Sequence, residues 1–391
     1  MNMTDRKMKR VVVSIYIDPD YYPPTINAIN NLAAYFEEVI VITRNNSRDD
    51  FPFPPNVRLI KLGKFATVRE TEKFSFIKKG LDFLKFTWQF WKYGVSSKTS
   101  LVVMYDPIPL LAYYIARPFM MAGRKAWYHN HDMPSVHRLR KYSIGWFAAT
   151  YESRAMKMIS MFSLPSEDRL LYYPSFDRAI PYATIPNYPS TKVYLLPTDK
   201  PTDETDIRII YQGFIGKGHA LEELIAILQD RIDGKKLHLI LKGSVNEAYK
   251  QSLQSLAEKY AVTDQLTWIG IGPYAGLPAL TRSCHIGIGV HMNTDEVSKT
   301  LGTASNKIYE YAASGLPVLL YDNEQFRKYL SGYSWTYFTD GTVGDIRLQL
   351  GRMIAERTQT AIAARKDFEA GLNFEKAFEP AWAKMKSLIS H

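Results

Sequence analysis

At 391 residues with 46% hydrophobic content, the chain exceeds one ordinary core and is read as two domains. Its formal net charge of +10 favours an anionic partner, which could be nucleic acid, an anionic membrane surface or a phosphorylated substrate. The single cysteine, Cys284, excludes an intrachain disulfide framework and fits a reducing compartment. No apolar run reaches the ~20 residues that span a bilayer, because residues 101–123 are broken by Asp106 and Arg117.

The N-terminal MNMTDRKMKR followed by VVVSIYI reads as a first strand and not a signal peptide, so the expectation is a protein that is soluble or peripherally attached. Strand-like runs at 11–17, 39–43, 101–105 and 126–129 are separated by helix-length segments, the rhythm of a parallel sheet with crossovers. The window 61–98 holds nine Lys or Arg against three Asp or Glu, a net charge of +6. Within it Ile77, Leu81, Leu84, Trp88 and Trp91 share one helical face, widened by Phe76, Phe83 and Phe90, while Lys78, Lys85 and Lys92 share another. Such a helix packs under a sheet or lies in a membrane interface; core packing is expected, with attachment to anionic lipid kept open. Nucleic-acid binding is set aside because no recognisable module appears.

Asp106, ending a strand in MYDPIPLL, either reaches a ligand crevice or caps the helix that follows. The strand end WYHNHD brings His129, His131 and Asp132 together. A spacing of two puts both histidines on one side, a pattern suited more to hydrogen bonding or proton handling than to zinc, since no cysteine accompanies them. Prolines 174, 181, 186, 189, 197 and 201 mark 174–206 as the interdomain linker.

The second half repeats the strand rhythm at 207–211, 237–241, 266–269, 286–290 and 318–321. After its first strand comes YQGFIGKGHALEELI. There Gly213, Gly216 and Gly218 let the backbone approach a ligand, and Lys217 adds a charge suited to phosphate. The spacing matches neither the Walker loop nor the dinucleotide fingerprint, which weakens the ATPase and dehydrogenase readings. Lys242 and Gly243 follow the next strand, and Gly270, Ile271 and Gly272 the one after, each at a carboxyl end where a crevice ligand is met. Cys284 lies at the start of a buried strand, where a packing role is expected. In ASNKIYEYAASGLPVLLY, Ser305 is a plausible N-cap and Asn306 and Lys307 open the first turn. Glu310 lies one turn in, before Gly315 and Pro317 end the helix. Such a helix start suits a pyrophosphate, and Glu310 a ribose. The last segment, from 374, has Phe374, Phe378, Trp382 and Met385 at helical spacing, an aromatic face that must dock.

Together these motifs resemble the GT-B glycosyltransferases, specifically the large retaining family of group 1, or family 4-like, enzymes. The likeness covers almost the whole chain and is most specific in YQGFIGKGHALEELI, LHLILKGS, LTWIGIGPYAGLPALTRS, HIGIGVHM and SNKIYEYAASGLPVLL. In the first half YHNHDMPS, YESRAMKMISMFSLPSEDR and TIPNYPS carry it. It implies an α/β fold of two Rossmann-like, doubly wound domains facing a central cleft. An acceptor domain would span 1–186, with the helix at 374–391 packing back on it, and a donor domain 187–373.

By this resemblance Glu310 matches the second glutamate of the paired motif, which binds the donor ribose. Lys217 matches the basic residue near the donor phosphates, and His131 the acceptor-domain histidine near the transferred sugar. Gly213, Gly216, Lys242, Gly243, Gly270, Ile271, Ser305, Asn306 and Lys307 complete the expected donor site, and Asp106, His129 and Asp132 the acceptor side. The first glutamate of the pair should stand eight residues before Glu310, where this chain has Gly302, so its contact is missing or comes from Asp295 or Glu296. The implied activity is transfer from a nucleotide sugar, UDP-sugar over GDP- or ADP-sugar, to a glycan or lipid-linked acceptor in cell-surface polysaccharide synthesis. No metal or other cofactor is expected, and the implied location is cytoplasmic, at the inner face of the membrane. The alternatives are a GT-B sugar-nucleotide epimerase and a non-catalytic sugar-nucleotide-binding subunit.

Overall fold

Short runs of Val, Ile, Leu and aromatic residues build two separate parallel sheets. The computed structural model describes residues 7–48, 50–120, 123–132, 139–194, 205–293 and 298–390. Asp295, Glu296, Pro197 and Pro201 lie outside them. The chain divides into two units, residues 1–186 with 374–391, and residues 187–373.

The first unit holds β1 (Met8–Ile15), β2 (Phe36–Arg44), β3 (Val57–Leu62), β4 (Thr99–Tyr105), β5 (Lys125–His129), β6 (Met161–Leu164) and β7 (Tyr182–Thr184). All pairs are parallel, in the order β3-β2-β1-β4-β5-β6-β7. Both faces of the sheet are covered, so β1 is buried without a break over 11–15, apolar except for Ser14, instead of alternating. Val12 packs with Ile40, Val102, Phe86 and Phe90 on one face, and Val11 and Val13 with Trp127, Phe378 and Trp382 on the other. The terminal helix Phe374–Ser390 supplies that second layer, with Phe378 stacked on Trp127 at 5.5 Å and Trp382 on Tyr35 at 4.6 Å.

The second unit holds β8 (Asp206–Gln212), β9 (Lys236–Lys242), β10 (Leu266–Ile269), β11 (Ile286–Ile288), β12 (Val318–Tyr321) and β13 (Thr336–Thr339), in the order β10-β9-β8-β11-β12-β13. In both sheets the first strand is central and the order reverses beside it, between β1 and β4 and between β8 and β11. That reversal is the topological switch point of a doubly wound sheet, where carboxyl-end loops diverge and leave a crevice.

One expectation is corrected. The helix Phe76–Gly94 buries Phe83, Phe86, Thr87, Phe90 and Gly94, and leaves Ile77, Leu81, Leu84 and Trp88 exposed. Apolar residues lie on both sides of the arc that carries Lys78, Lys85 and Lys92, and the stripe of rings at 83, 86 and 90 fits the sheet, so the stripe of Ile77, Leu81, Leu84 and Trp88 faces outward. The proline-rich segment 174–206 contains the boundary between the two units, at 186/187, and it also contributes β7, an edge strand preceded by Pro181, and the short helix Thr191–Tyr194. Proline is tolerated there because an edge leaves one row of N–H groups unpaired. Among the described residues, no helix is long and apolar enough to cross a membrane.

Candidate active site

In the second unit the loops after β8, β9 and β10 stack at the carboxyl ends of their strands. Gly213 N–H donates to Lys242 O at 2.9 Å, Gly243 N–H to Ile269 O at 2.9 Å and Ile215 N–H to Ser244 O at 2.8 Å. Gly243 has φ +139°, and a Cβ there would lie 1.8 Å from Gly213 O, so only glycine lets the two loops touch. Gly213, at φ +126°, lies against the Lys307 ammonium: a Cβ would be 3.7 Å from Nζ. Gly270 is open, Ile271 is exposed, and Lys242 Nζ donates to Gly270 O at 2.5 Å. Gly216 is buried against the Phe214 ring, while Lys217 is exposed in the same loop.

The helix Asn306–Ala313 brings the charged part of the cluster to these loops. Ser305 occupies the N-cap position but its side chain makes no capping hydrogen bond, and Asn306 Oδ1 is buried with no partner among the described residues. Glu310 is 4% exposed and accepts from Gln212 Nε2 at 2.5 Å, while Gln212 Oε1 accepts from Thr281 Oγ1 at 3.0 Å. Burial pushes the Glu310 carboxyl up to about 7, opposed by hydrogen bonds from Gln212 and Tyr274 and by Lys307. Lys307 donates to the Tyr211 hydroxyl at 3.0 Å and sits 4.2 Å above its ring. Loss of water pushes this ammonium down to about 7, with Glu310 pulling the other way. His219 bonds Val290 O at 3.0 Å between the rings of Tyr211 and His291; burial and the Lys307 charge lower it to about 4. A desolvated cation, a desolvated carboxyl, an unpartnered amide oxygen and open glycine backbone at a switch point make a cradle for an anionic, hydroxyl-bearing ligand.

Gly302 explains the departure in the paired-glutamate pattern. A Cβ there would lie 2.1 Å from the Tyr329 ring, while its carbonyl accepts from Tyr309 at 2.7 Å. The position is filled by its neighbours, and a glutamate side chain does not fit it without displacing Tyr329.

In the first unit the residues at the ends of β4 and β5 converge. Asp106 has φ 70° and makes no side-chain cap to the helix Pro107–Ala116; its Oδ1 instead accepts the His131 N–H at 2.8 Å, with Oδ2 3.4 Å from His131 Nδ1. His131 Nε2 lies 3.1 Å from Thr25 Oγ1, and its ring stacks on Tyr105 at 4.9 Å. The buried Arg169 donates to the His131 carbonyl. Asp132, at the surface, accepts from the Tyr22 hydroxyl at 3.3 Å. His129 faces inward: Nδ1 lies 2.8 Å from Ser163 Oγ, and burial lowers its pKa well below the usual range. It therefore supports His131, whose ring is 4.7 Å away, from behind.

No family model matches the chain, and no curated protein matches its sequence. Its backbone does match solved structures. A sucrose-phosphate synthase from Thermosynechococcus elongatus superposes with a TM-score of 0.67 at 13% identity, over 98% of this chain and 100% of that one. The chain has the GT-B fold. Anabaena HepE in complex with UDP and glucose shares this GT-B fold at a TM-score of 0.64 and 13% identity, over 97% of this chain and 100% of that one. WaaG, a glycosyltransferase involved in lipopolysaccharide biosynthesis, matches at 0.64 and 14%, over 95% and 98%.

Within this GT-B chain, Gln212, Thr281, His219 and His291 join the site without having been singled out in the sequence. The available signal was position alone: Gln212, His219 and His291 end or follow β8 and β11, the two strands at the switch point.

Proposed function

We propose that the chain is a glycosyltransferase that moves a sugar from a nucleoside diphosphate sugar, UDP-sugar over GDP- or ADP-sugar, to a glycan or lipid-linked acceptor in cell-surface polysaccharide synthesis. The carrying observation is the buried Gln212–Glu310 pair with Lys307 beside it, set against open glycine loops at the switch point of the second unit. The HepE structures with UDP, with UDP and glucose and with UDP-glucose support a uridine nucleotide in a fold of this kind.

In this reading Glu310 accepts the ribose hydroxyls, and Gly270 and Ile271 border the base. Lys307, Lys217 and the start of the Asn306–Ala313 helix take the diphosphate, with Gly213, Gly216, Lys242 and Gly243 shaping the loops around it. As the glycosyl bond breaks, charge grows on the departing diphosphate, and these preplaced cations and amides stabilise it without reorganising. His131, held by Asp106 and Thr25, handles the acceptor proton, and Asp132 borders it. Departure and attack on one face of the sugar give retention. The exposed apolar stripe on the lysine-rich helix Phe76–Gly94 suits attachment to an anionic inner-membrane surface.

A thermal-shift panel of UDP, GDP, ADP and their sugars tests the donor assignment, since a ligand that binds only the folded state raises its midpoint by mass action. UDP and UDP-sugars should stabilise the parent, and stabilise Glu310→Ala and Lys307→Ala markedly less at the same concentration. Absence of stabilisation by every nucleotide would sink the reading.

A further inference from the structure

The crevice of the first unit has walls that a purely polar acceptor does not need. Beyond the ends of β1, β2 and β4 lies a cavity of about 490 Å³, within the roughly 300–1,000 Å³ range of small-molecule sites. Tyr16, Val68, Phe74, Phe76, Ile108 and Ile144 make its wall mostly apolar. A second apolar cavity of about 420 Å³, between Leu111, Ile115 and Phe147, shares Ile144 with it and prolongs the apolar path. Phe76 lines the first cavity while remaining 68% exposed, so the path opens on the outward stripe of the lysine-rich helix.

Charge on the same lining is one-sided. Among the described residues, Arg44, Lys79, Arg140 and Lys141 line the cavity against one carboxylate, Glu72. Arg44 is held over the Tyr16 ring at 5.1 Å and lies 3.9 Å from Asp82, and Lys79 donates to the Glu72 carbonyl. Arg140 and Lys141 are exposed at the opening. A neutral hydrocarbon has no use for these cations, and a free sugar phosphate has none for the apolar wall. One molecule carrying both groups satisfies both.

We propose that this cavity binds the hydrocarbon chain of a single phosphorylated lipid, with its phosphate on Arg140 and Lys141, so that the acceptor is an anionic amphiphile. The inference rests on the glycosyltransferase reading for its functional sense, but the site stands or falls by its own measurement.

The test titrates the full chain by calorimetry with decyl phosphate below its micellar concentration, with inorganic phosphate, decyl glucoside and phosphatidylglycerol vesicles in parallel. Decyl phosphate should bind at least tenfold more tightly than inorganic phosphate or decyl glucoside. Val68→Trp, which fills the cavity from the half-buried start of a short helix, should weaken decyl phosphate at least tenfold and leave vesicle binding unchanged. The paired exposed changes Arg140→Glu and Lys141→Glu should weaken it similarly. The proposal is overturned if Val68→Trp, shown folded by an unaltered UDP-induced thermal shift, binds decyl phosphate like the parent. It is equally overturned if the parent binds vesicles but not monomeric decyl phosphate. A UDP shift without decyl phosphate binding removes the lipid site alone. Decyl phosphate binding that behaves as expected, with no nucleotide shift, upholds the site and removes the transferase reading.

Discussion

Affinity for UDP should fall above neutral pH with a slope set by Lys307. Burial holds its ammonium near 7, and a bound diphosphate supplies the counter-charge that keeps the proton on at higher pH. Above about pH 7 binding therefore takes up a proton, and each further pH unit weakens it about tenfold, or about 1.4 kcal/mol. Between pH 6.5 and 8.5 the loss at Lys307 amounts to about 25-fold. Glu310, raised to about 7, accepts the ribose hydroxyls best as the carboxylate, so its ionisation opposes this loss, and a Glu310→Gln background isolates the Lys307 slope. Calorimetry in buffers of different ionisation enthalpy measures affinity and proton uptake together. Lys307→Arg, charged throughout, should flatten the slope. Constant affinity across this range with no proton uptake would refute the assignment of Lys307 to the diphosphate.

The same two groups shape the stability of the free protein. Glu310, raised from 4.5, favours folding at low pH and loses that contribution as pH rises through about 7; Lys307, depressed from 10.5, contributes above its unfolded value and loses it as pH falls toward about 7. Denaturant midpoints of the parent should dip near neutrality relative to a Lys307→Met, Glu310→Gln double variant. Gly302→Ala should cost about 1–3 kcal/mol by the same measurement, because the new Cβ meets the Tyr329 ring, and Tyr329→Ala should recover most of that loss in the double variant. Asp106→Asn keeps an acceptor for the His131 N–H but removes the charge facing its ring. It should lower the transfer rate by about 10²-fold at unchanged UDP affinity, read from steady-state kinetics beside calorimetry.

Most of the strands legible in the sequence carry three to five consecutive apolar residues, as in VVV of β1 and LVVMY of β4, since burial on both faces leaves little alternation to misread. Those missed, β3, β7 and β13, are all sheet edges; Arg58 and Lys61 interrupt the apolar run of VRLIKL in β3, and YAT in β7 and TYFT in β13 carry too few residues for any period to show. The outward turn of Ile77, Leu81, Leu84 and Trp88 was illegible for a related reason. When both faces of a helix are apolar, periodicity cannot say which one the sheet will cover. Lys307, Glu310 and the glycine loops were visible because each sits in a local pattern. Gln212 and Thr281 are 69 residues apart and meet only through the sheet, so no spacing announced the pair that holds Glu310. Gly302 read as a lost ligand, and the packing of Tyr329 against it is a tertiary fact.

The central claim, a uridine nucleotide with its ribose on Glu310, is tested most directly by a cycle of affinities: UDP and its 2′-deoxy and 3′-deoxy analogues against the parent and Glu310→Ala. The account predicts that loss of a ribose hydroxyl weakens binding to the parent by about 1.5–3 kcal/mol, as expected for a hydrogen bond to a charged group, and scarcely affects the variant. An equal penalty for the deoxy analogues in both proteins would contradict it.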